Sequence, residues 1–80
     1  MSQKRKRFTK EESGRLLGRH VRLVTEFAEI PQGTTGLIIG RYEVEPEGFE
    51  IIVKWEAIEV SKHSTDWFTK EQFETALVEG

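Results

Sequence analysis

The chain has 80 residues, no cysteine and a formal net charge of −2 at pH 7, and 36% of its residues are hydrophobic. A chain of this length forms one small domain with a modest core, and the lack of cysteine excludes disulfide bonds and thiolate metal sites. No apolar run reaches the roughly 18 residues of a membrane span, and the basic start lacks the apolar segment of a secretory signal, so we expect a cytoplasmic protein without membrane contact.

The charge is divided unevenly along the chain. Residues 1–22 contain eight basic and two acidic residues, a formal charge of +6, whereas residues 23–80 contain four basic and twelve acidic residues, a charge of −8. The first basic residues are Lys4, Arg5, Lys6 and Arg7. We predict that residues 1–8 form a disordered basic arm, which is either a solvated tail or a contact for nucleic acid or an acidic partner.

A short helix is predicted over residues 9–18. Thr9 is followed three residues later by Glu12, and this spacing is typical of a capping box at a helix start. An isolated helix of about two turns is marginal in water. We therefore expect this helix to form only if Leu16 and Leu17 dock onto the rest of the domain.

The middle of the chain has the period-two pattern of β-strands. Val21, Leu23 and Thr25 alternate with Arg22 and Val24 in a first, half-buried strand. A second strand follows around Leu37–Ile39. Gly36 and Gly40 stand where a strand bends sharply or another backbone comes close. The third strand places four apolar residues on one face: Phe49, Ile51, Val53 and Trp55.

The segment from Glu56 to Asp66 is less regular, although it contains enough apolar residues for a short strand. Those residues are Ala57, Ile58 and Val60. The acidic segment that precedes the third strand, around Pro46, is predicted to be a turn.

A second capping box predicts a closing helix over residues 69–78. Thr69 is followed by Gln72 at the same spacing as in the first helix, and Phe68 before the cap is positioned to pack on Phe73 as a hydrophobic staple. Apolar residues at helical spacing give this helix one buried face.

The predicted elements favour a mainly β fold. Short strands with no helix between them do not form a parallel sheet, and a small open sheet would leave one face wet and two edges unpaired. We therefore expect a small barrel over residues 19–80, closed by the helix at residues 69–78.

Three segments of the chain resemble a known superfamily. They are Val21-Arg22-Leu23, Ile30-Pro31-Gln32-Gly33-Thr34-Thr35-Gly36-Leu37-Ile38 and Val53-Lys54-Trp55. Together they are similar to small bacterial SH3-like barrels, over about residues 19–68. The same arrangement occurs in KOW-type ribosomal and transcription-factor modules and in barrel subunits of photosynthetic and redox complexes. The resemblance implies an SH3-like barrel, and its KOW members imply nucleic-acid binding. The chain departs from polyproline-binding SH3 domains because Tyr42 is its only tyrosine.

No group of residues has the pattern of an active site. His20 and His63 do not have the spacing of a compact metal motif, and Asp66 and Glu59 near His63 are a common chance combination. The acidic residues 43–47 lack the ligand ladder of a calcium loop and are interpreted as a solvated turn. We expect no enzyme activity, no cofactor and no metal.

Large aromatic side chains are predicted to fill the core. They are Phe49, Trp55, Trp67, Phe68 and Phe73. If Trp55 or Trp67 were exposed instead, it would be a natural anchor for a partner.

The preferred hypothesis is a non-catalytic protein-interaction module, or a small accessory subunit of a bacterial complex, that is itself a monomer. The candidate contact residues are Phe27, Ile30, Trp67 and the basic arm. The alternative is a nucleic-acid-binding protein in which the arm supplies affinity and the barrel positions it.

Overall fold

The computed structural model describes residues 7–44, 48–56 and 64–80 of the chain. These residues form two helices and five strands: α1 (Lys10–Leu16), β1 (His20–Leu23), β2 (Thr35–Val44), β3 (Gly48–Trp55), β4 (Thr65–Phe68), α2 (Lys70–Ala76) and β5 (Leu77–Glu79). The strands make one antiparallel sheet in the order β4-β3-β2-β1-β5. The mainly β prediction is confirmed. Within the described residues the sheet is open, with β4 and β5 at its edges.

Several predictions concern residues outside the described ranges. They are those for Lys4, Arg5, Lys6, Glu45, Pro46, Glu47, Ala57, Ile58, Glu59, Val60 and His63.

The core lies on one face of the sheet and draws on every strand. In the part of the chain that the structure describes, eleven apolar residues are buried and no more than 4% exposed. They are Phe8, Val21, Leu23, Ile30, Ile38, Ile51, Val53, Trp55, Phe68, Ala76 and Leu77. In β3 the predicted alternation is confirmed, because Ile51, Val53 and Trp55 are buried while Lys54 between them is exposed. Each buried aliphatic side chain contributes about 1.5–3 kcal/mol through the hydrophobic effect.

Both predicted capping boxes are present. The Thr9 hydroxyl accepts a 3.0 Å hydrogen bond from the Glu12 N–H, and the Thr9 N–H donates to Glu12 Oε1 at 2.9 Å. Thr69 and Gln72 make the same reciprocal pair, at 3.1 and 3.0 Å. The caps satisfy N–H groups that a helix start otherwise leaves unpaired, which matters in helices of only seven residues.

The closing helix is shorter than the predicted range 69–78. It ends at Ala76, and residues Leu77–Glu79 form β5 against β1, with Leu77 opposite Leu23. The backbone of β1 offers an unpaired edge at this point, so residues that extend along it gain strand hydrogen bonds that a longer helix would forgo. Leu77 is buried as a strand residue, 4% exposed.

Phe8, the last residue of the predicted basic arm, belongs to the core. Its side chain is 3% exposed, and its N–H and C=O both bond to the backbone of Phe49, at 2.9 and 2.8 Å. Its ring meets Phe73 of α2 edge-on, with 5.6 Å between centroids. The predicted staple partner of Phe73, Phe68, instead stacks on Phe27 at 4.4 Å.

Arg41 holds α1 against the sheet. Its Nη1 donates to the Lys10 carbonyl at 2.8 Å and lies 3.2 Å from the hydroxyl of Ser13, which is fully buried. The guanidinium also lies over the Phe49 ring, 4.9 Å from its centroid. Docking of α1 therefore depends on an arginine of β2. Of the two leucines predicted to dock, Leu16 packs on the core, whereas Leu17 is 42% exposed.

The two predicted irregular glycines differ in the space around them. A Cβ atom on Gly36 would lie 2.6 Å from Val53 Cγ1 and 2.9 Å from Trp55 Cε3, inside the core. A Cβ atom on Gly40 would come no closer than 3.6 Å, to Ile52 Cδ1, which is an ordinary contact. The β2–β3 register shifts just before Gly40. The predicted close approach is therefore at Gly36, and the irregularity is at Ile39, just before Gly40.

We expect Gly36→Ala to lower the free energy of unfolding by about 1–3 kcal/mol, because the added methyl group overpacks the core. Gly40→Ala is the matched control and should change it by no more than about 0.5 kcal/mol. Urea denaturation followed by circular dichroism measures both. Equal effects of the two substitutions would contradict the packing described for Gly36.

An ion pair joins the two helices. Lys70 Nζ lies 3.1 Å from Glu12 Oε2, with both side chains partly buried. The pKa of the Glu12 carboxyl lies below its ordinary value of 4.5, chiefly because the Thr9 N–H donates to it; burial opposes this lowering and Lys70 adds to it. The stability that Glu12 contributes is therefore complete above its ordinary pKa and is lost as the pH falls through its lower folded pKa.

We expect Lys70→Met to raise the pKa of Glu12 while leaving it below 4.5, since the Thr9 hydrogen bond remains. Lys54→Met removes a positive charge from the other face of the sheet and should leave this pKa unchanged. An NMR titration of the Glu12 side-chain carboxyl measures both variants. A pKa that does not move in Lys70→Met would show that the ion pair is absent in solution.

Candidate binding surface

The face of the sheet that points away from the core carries two aromatic rings in contact with each other. Trp67 of β4 lies opposite Ile52 of β3, and Tyr42 of β2 lies opposite Glu50 of the same strand. The two rings reach across β3 and pack with 4.8 Å between centroids at an interplanar angle of 35°. We call Tyr42, Ile52 and Trp67 the aromatic face.

The aromatic face is accessible in the described structure. Trp67 is 48% exposed and Tyr42 is 50% exposed. Gly40, opposite Ile52, adds no side chain to cover them. Ile39, next to Gly40 at the register shift, is also 50% exposed. A half-exposed tryptophan in contact with a half-exposed tyrosine is the kind of amphipathic pair that is enriched at protein interfaces.

The prediction that Trp67 belongs to the core is wrong. Phe68 is the β4 residue that faces inward, since it lies opposite the buried Ile51 and is 0% exposed. Successive residues of a strand point to opposite faces, so adjacent Trp67 must face outward. That rule was available in the sequence, because two consecutive aromatic residues of one strand cannot both enter the same core.

The other tryptophan fulfils the core prediction. Trp55 is 3% exposed and its ring meets Phe68 edge-on, with 5.9 Å between centroids. Its indole N–H donates to Asp66 Oδ2 at 2.8 Å. Asp66, which the sequence placed beside a histidine, is thus occupied in satisfying a buried indole.

Basic residues flank the aromatic face along β3. The backbone pairing of Phe8 with Phe49 places Arg7 beside Glu50, with 3.5 Å between Arg7 Nε and Glu50 Oε2. Two residues beyond Ile52 on the same side of the strand is Lys54, which is exposed. The described end of the basic arm therefore lies on the same face as Tyr42 and Trp67.

The two loop residues predicted to contact a partner face the core instead. Ile30 is 0% exposed, and Phe27 is partly buried against Phe68. The two residues exchange backbone hydrogen bonds at 3.0 and 2.7 Å, which closes the loop over the sheet. Of the candidate contact residues that the structure describes, Trp67 is exposed and Arg7 lies beside Glu50.

The described residues show no metal site: no group of three or more histidine, cysteine or acidic side chains is placed to hold an ion. His20 lies 3.6 Å from Glu56 on the surface. In the same part of the chain, no helix is long and apolar enough to cross a membrane.

A shallow cleft of about 240 Å³ lies between the helices and β5, and its lining includes Phe8, Phe73 and Arg15. Its acidic side chains are already paired, Glu12 with Lys70 and Glu79 with Arg19 at 2.9 Å. These two ion pairs thus hold the elements around the cleft together.

Comparison of the chain with protein-family models, with curated proteins and with solved structures finds no match.

We expect Trp67→Ala to lower the free energy of unfolding by at most about 1 kcal/mol, the usual value of a cross-strand aromatic pair. Phe68→Ala, one residue away on the opposite face, should cost about 3–5 kcal/mol. Chemical denaturation of the two variants measures the difference. Similar losses from both would place the Trp67 ring in the core and remove the aromatic face.

Proposed function

We propose that the protein is a non-catalytic protein-interaction module, or a small accessory subunit of a bacterial complex, that binds its partner through the aromatic face. The observation that carries the proposal is the packed pair of half-exposed rings, Tyr42 and Trp67, on strands whose other face is the core. Tryptophan and tyrosine dominate the residues whose truncation costs most at protein interfaces.

The rigidity of the aromatic face supports this role. Both rings stand on paired strands, and their mutual packing already restricts their rotamers. Because the contact residues are already ordered, less conformational entropy is lost on association, and the affinity for a given buried area is higher. A rigid aromatic anchor suits a docking surface better than a catalytic cleft, which needs convergent polar groups.

The fold that we propose in finer detail is an SH3-like barrel. Two features support it: β5 returns to pair with β1, and all five strands contribute to one core face. A flat sheet with so small a set of helices would leave that face wet, whereas a sheet that curls around its own side chains buries it. In this proposal the free protein is a cytoplasmic monomer.

Nucleic-acid binding is the second candidate function. The observation in its favour is the position of Arg7 and Lys54 on either side of the aromatic rings. Exposed aromatic rings beside basic side chains bind single strands by stacking on bases while the cations contact phosphates.

The proposed function is tested by measuring whether substitutions in the aromatic face, and not elsewhere, weaken the binding of a purified partner. Candidate partners captured from a bacterial lysate are purified and titrated against the wild type, Trp67→Ala, Tyr42→Ala and the control Leu17→Ala, which truncates an exposed apolar residue elsewhere. We expect both aromatic substitutions to weaken binding at least about tenfold and the control to have no effect.

A partner that binds all four proteins equally would overturn the proposal. Labelled single-stranded RNA, titrated at low and moderate salt with and without residues 1–6, tests the second candidate. Salt-sensitive binding that requires Trp67 would favour it.

A further inference from the structure

The free edge of β4 carries backbone groups that the sheet does not use. The Trp55 N–H donates to the Ser64 carbonyl at 2.8 Å, so these two residues form a hydrogen-bonded antiparallel pair. Hydrogen-bonded and non-hydrogen-bonded pairs alternate along such a ladder, and Thr65 and Trp67 therefore belong to the second kind. Their N–H and C=O groups point away from β3, and among the described residues these groups have no hydrogen-bond partner. An edge of this kind is a template for a further strand.

This edge and the aromatic face are parts of one surface. Trp67 contributes both its outward backbone groups and its half-exposed ring. In a hydrogen-bonded antiparallel pair, the Cα atoms of opposite residues lie about 5.5 Å apart and their side chains share a face of the sheet. A residue paired with Trp67 therefore places its side chain against the indole ring, and a residue paired with Thr65 lies on the same face.

The chain itself adds an extended residue to the neighbouring stretch of this ladder. Phe8 exchanges backbone hydrogen bonds with Phe49 at 2.9 and 2.8 Å, on the edge of β3 that β4 occupies further along the strand. The Phe8 side chain is 3% exposed. The sheet therefore already accepts a distant segment of the chain by backbone pairing together with one large apolar side chain.

A second copy of the chain fits the free edge poorly. Symmetric antiparallel pairing of two β4 strands uses both edge residues only when each Thr65 lies opposite the other copy's Trp67. That register sets the two Asp66 side chains directly opposite each other, and like charges in this position are destabilising. The other symmetric registers leave Thr65 or Trp67 without a partner inside β4. The edge therefore favours a segment of a different protein.

We infer, on the basis of the proposed function, that the partner contributes an extended segment that pairs with the free edge of β4 as a further antiparallel strand. The segment alternates apolar and polar residues. An aromatic or β-branched residue lies opposite Trp67 and packs on its ring, and a polar residue lies opposite Asp66. In this mode of recognition the main-chain hydrogen bonds supply affinity and the alternate side chains supply specificity.

The probe is a heptapeptide with blocked ends, in which threonine alternates with valine at the second and sixth positions and phenylalanine at the fourth. Binding is followed in two-dimensional NMR from the backbone amide signals of Thr65 and Trp67 and from the Trp67 indole signal. N-methylation of the phenylalanine removes an N–H that faces β4, whereas N-methylation of the threonine after it removes an N–H that faces away. We expect the first change to weaken binding at least about tenfold and the second to alter it less than about twofold.

Thr65→Pro removes an edge N–H from the protein instead. Proline is tolerated at the first residue of an edge strand, which is the position of Thr65 in β4. Glu79→Pro is the matched control on β5: the Gly80 N–H donates to the His20 carbonyl at 3.1 Å, so the Glu79 N–H points away from β1. We expect Thr65→Pro to weaken the unmodified peptide about five- to tenfold and Glu79→Pro to leave its affinity unchanged. Urea denaturation monitors the fold of both variants.

The outcomes separate this inference from the proposed function. Equal affinity for the two N-methylated peptides overturns strand addition but leaves docking at the aromatic face intact. Equal losses from Thr65→Pro and Glu79→Pro, or no change in the Trp67 signals at millimolar peptide, also overturn it. Shifts of the Thr65 and Trp67 amides that depend on protein concentration alone overturn it in favour of a second copy. The proposed function fails only if a purified partner is indifferent to both aromatic substitutions.

Discussion

The two-residue alternation of β3 is the constraint on which the rest of the structure depends. Ile51 and Val53 turn inward and give the core its centre, so Glu50, Ile52 and Lys54 must turn outward. Each neighbouring strand then takes its orientation from its register with β3. The same backbone geometry that buries the core therefore creates the aromatic face, and neither surface can be changed without regard to the other.

The helices at the ends of this small sheet are held in place by short-range polar interactions. Capping boxes stabilise two helices whose stability in isolation would be marginal, and Arg41 links α1 to the sheet. The ion pair of Glu12 with Lys70 connects the helices across the ends of the core. These contacts use most of the polar side chains around the cleft between the helices, so those side chains have a structural role.

Local rules predicted the caps and the face of β3 from the sequence, because each depends on residues within four positions of one another. The direction of Trp67 follows from a local rule as well, once the neighbouring Phe68 is assigned to the core. The burial of Phe8 and the strand at Leu77 depend on partners far along the chain, at Phe49 and Leu23. The burial of Ile30 has the same cause, because its loop folds back on the core. Local hydrophobic periodicity does not predict such contacts between distant segments of the chain.

The pairing of β1 with β5 also has a kinetic consequence. Val21 lies opposite Glu79, so the contact that completes the sheet closes a loop over nearly the whole described domain. Such non-local pairing is slow to form, because the entropy of loop closure is spent before the contact is gained. During synthesis, residues up to Phe68 can assemble the β2–β3 hairpin and add β4, but the edge of β1 stays open until Leu77–Glu79 leave the ribosome. The described sheet is therefore complete only after β5 has paired with β1.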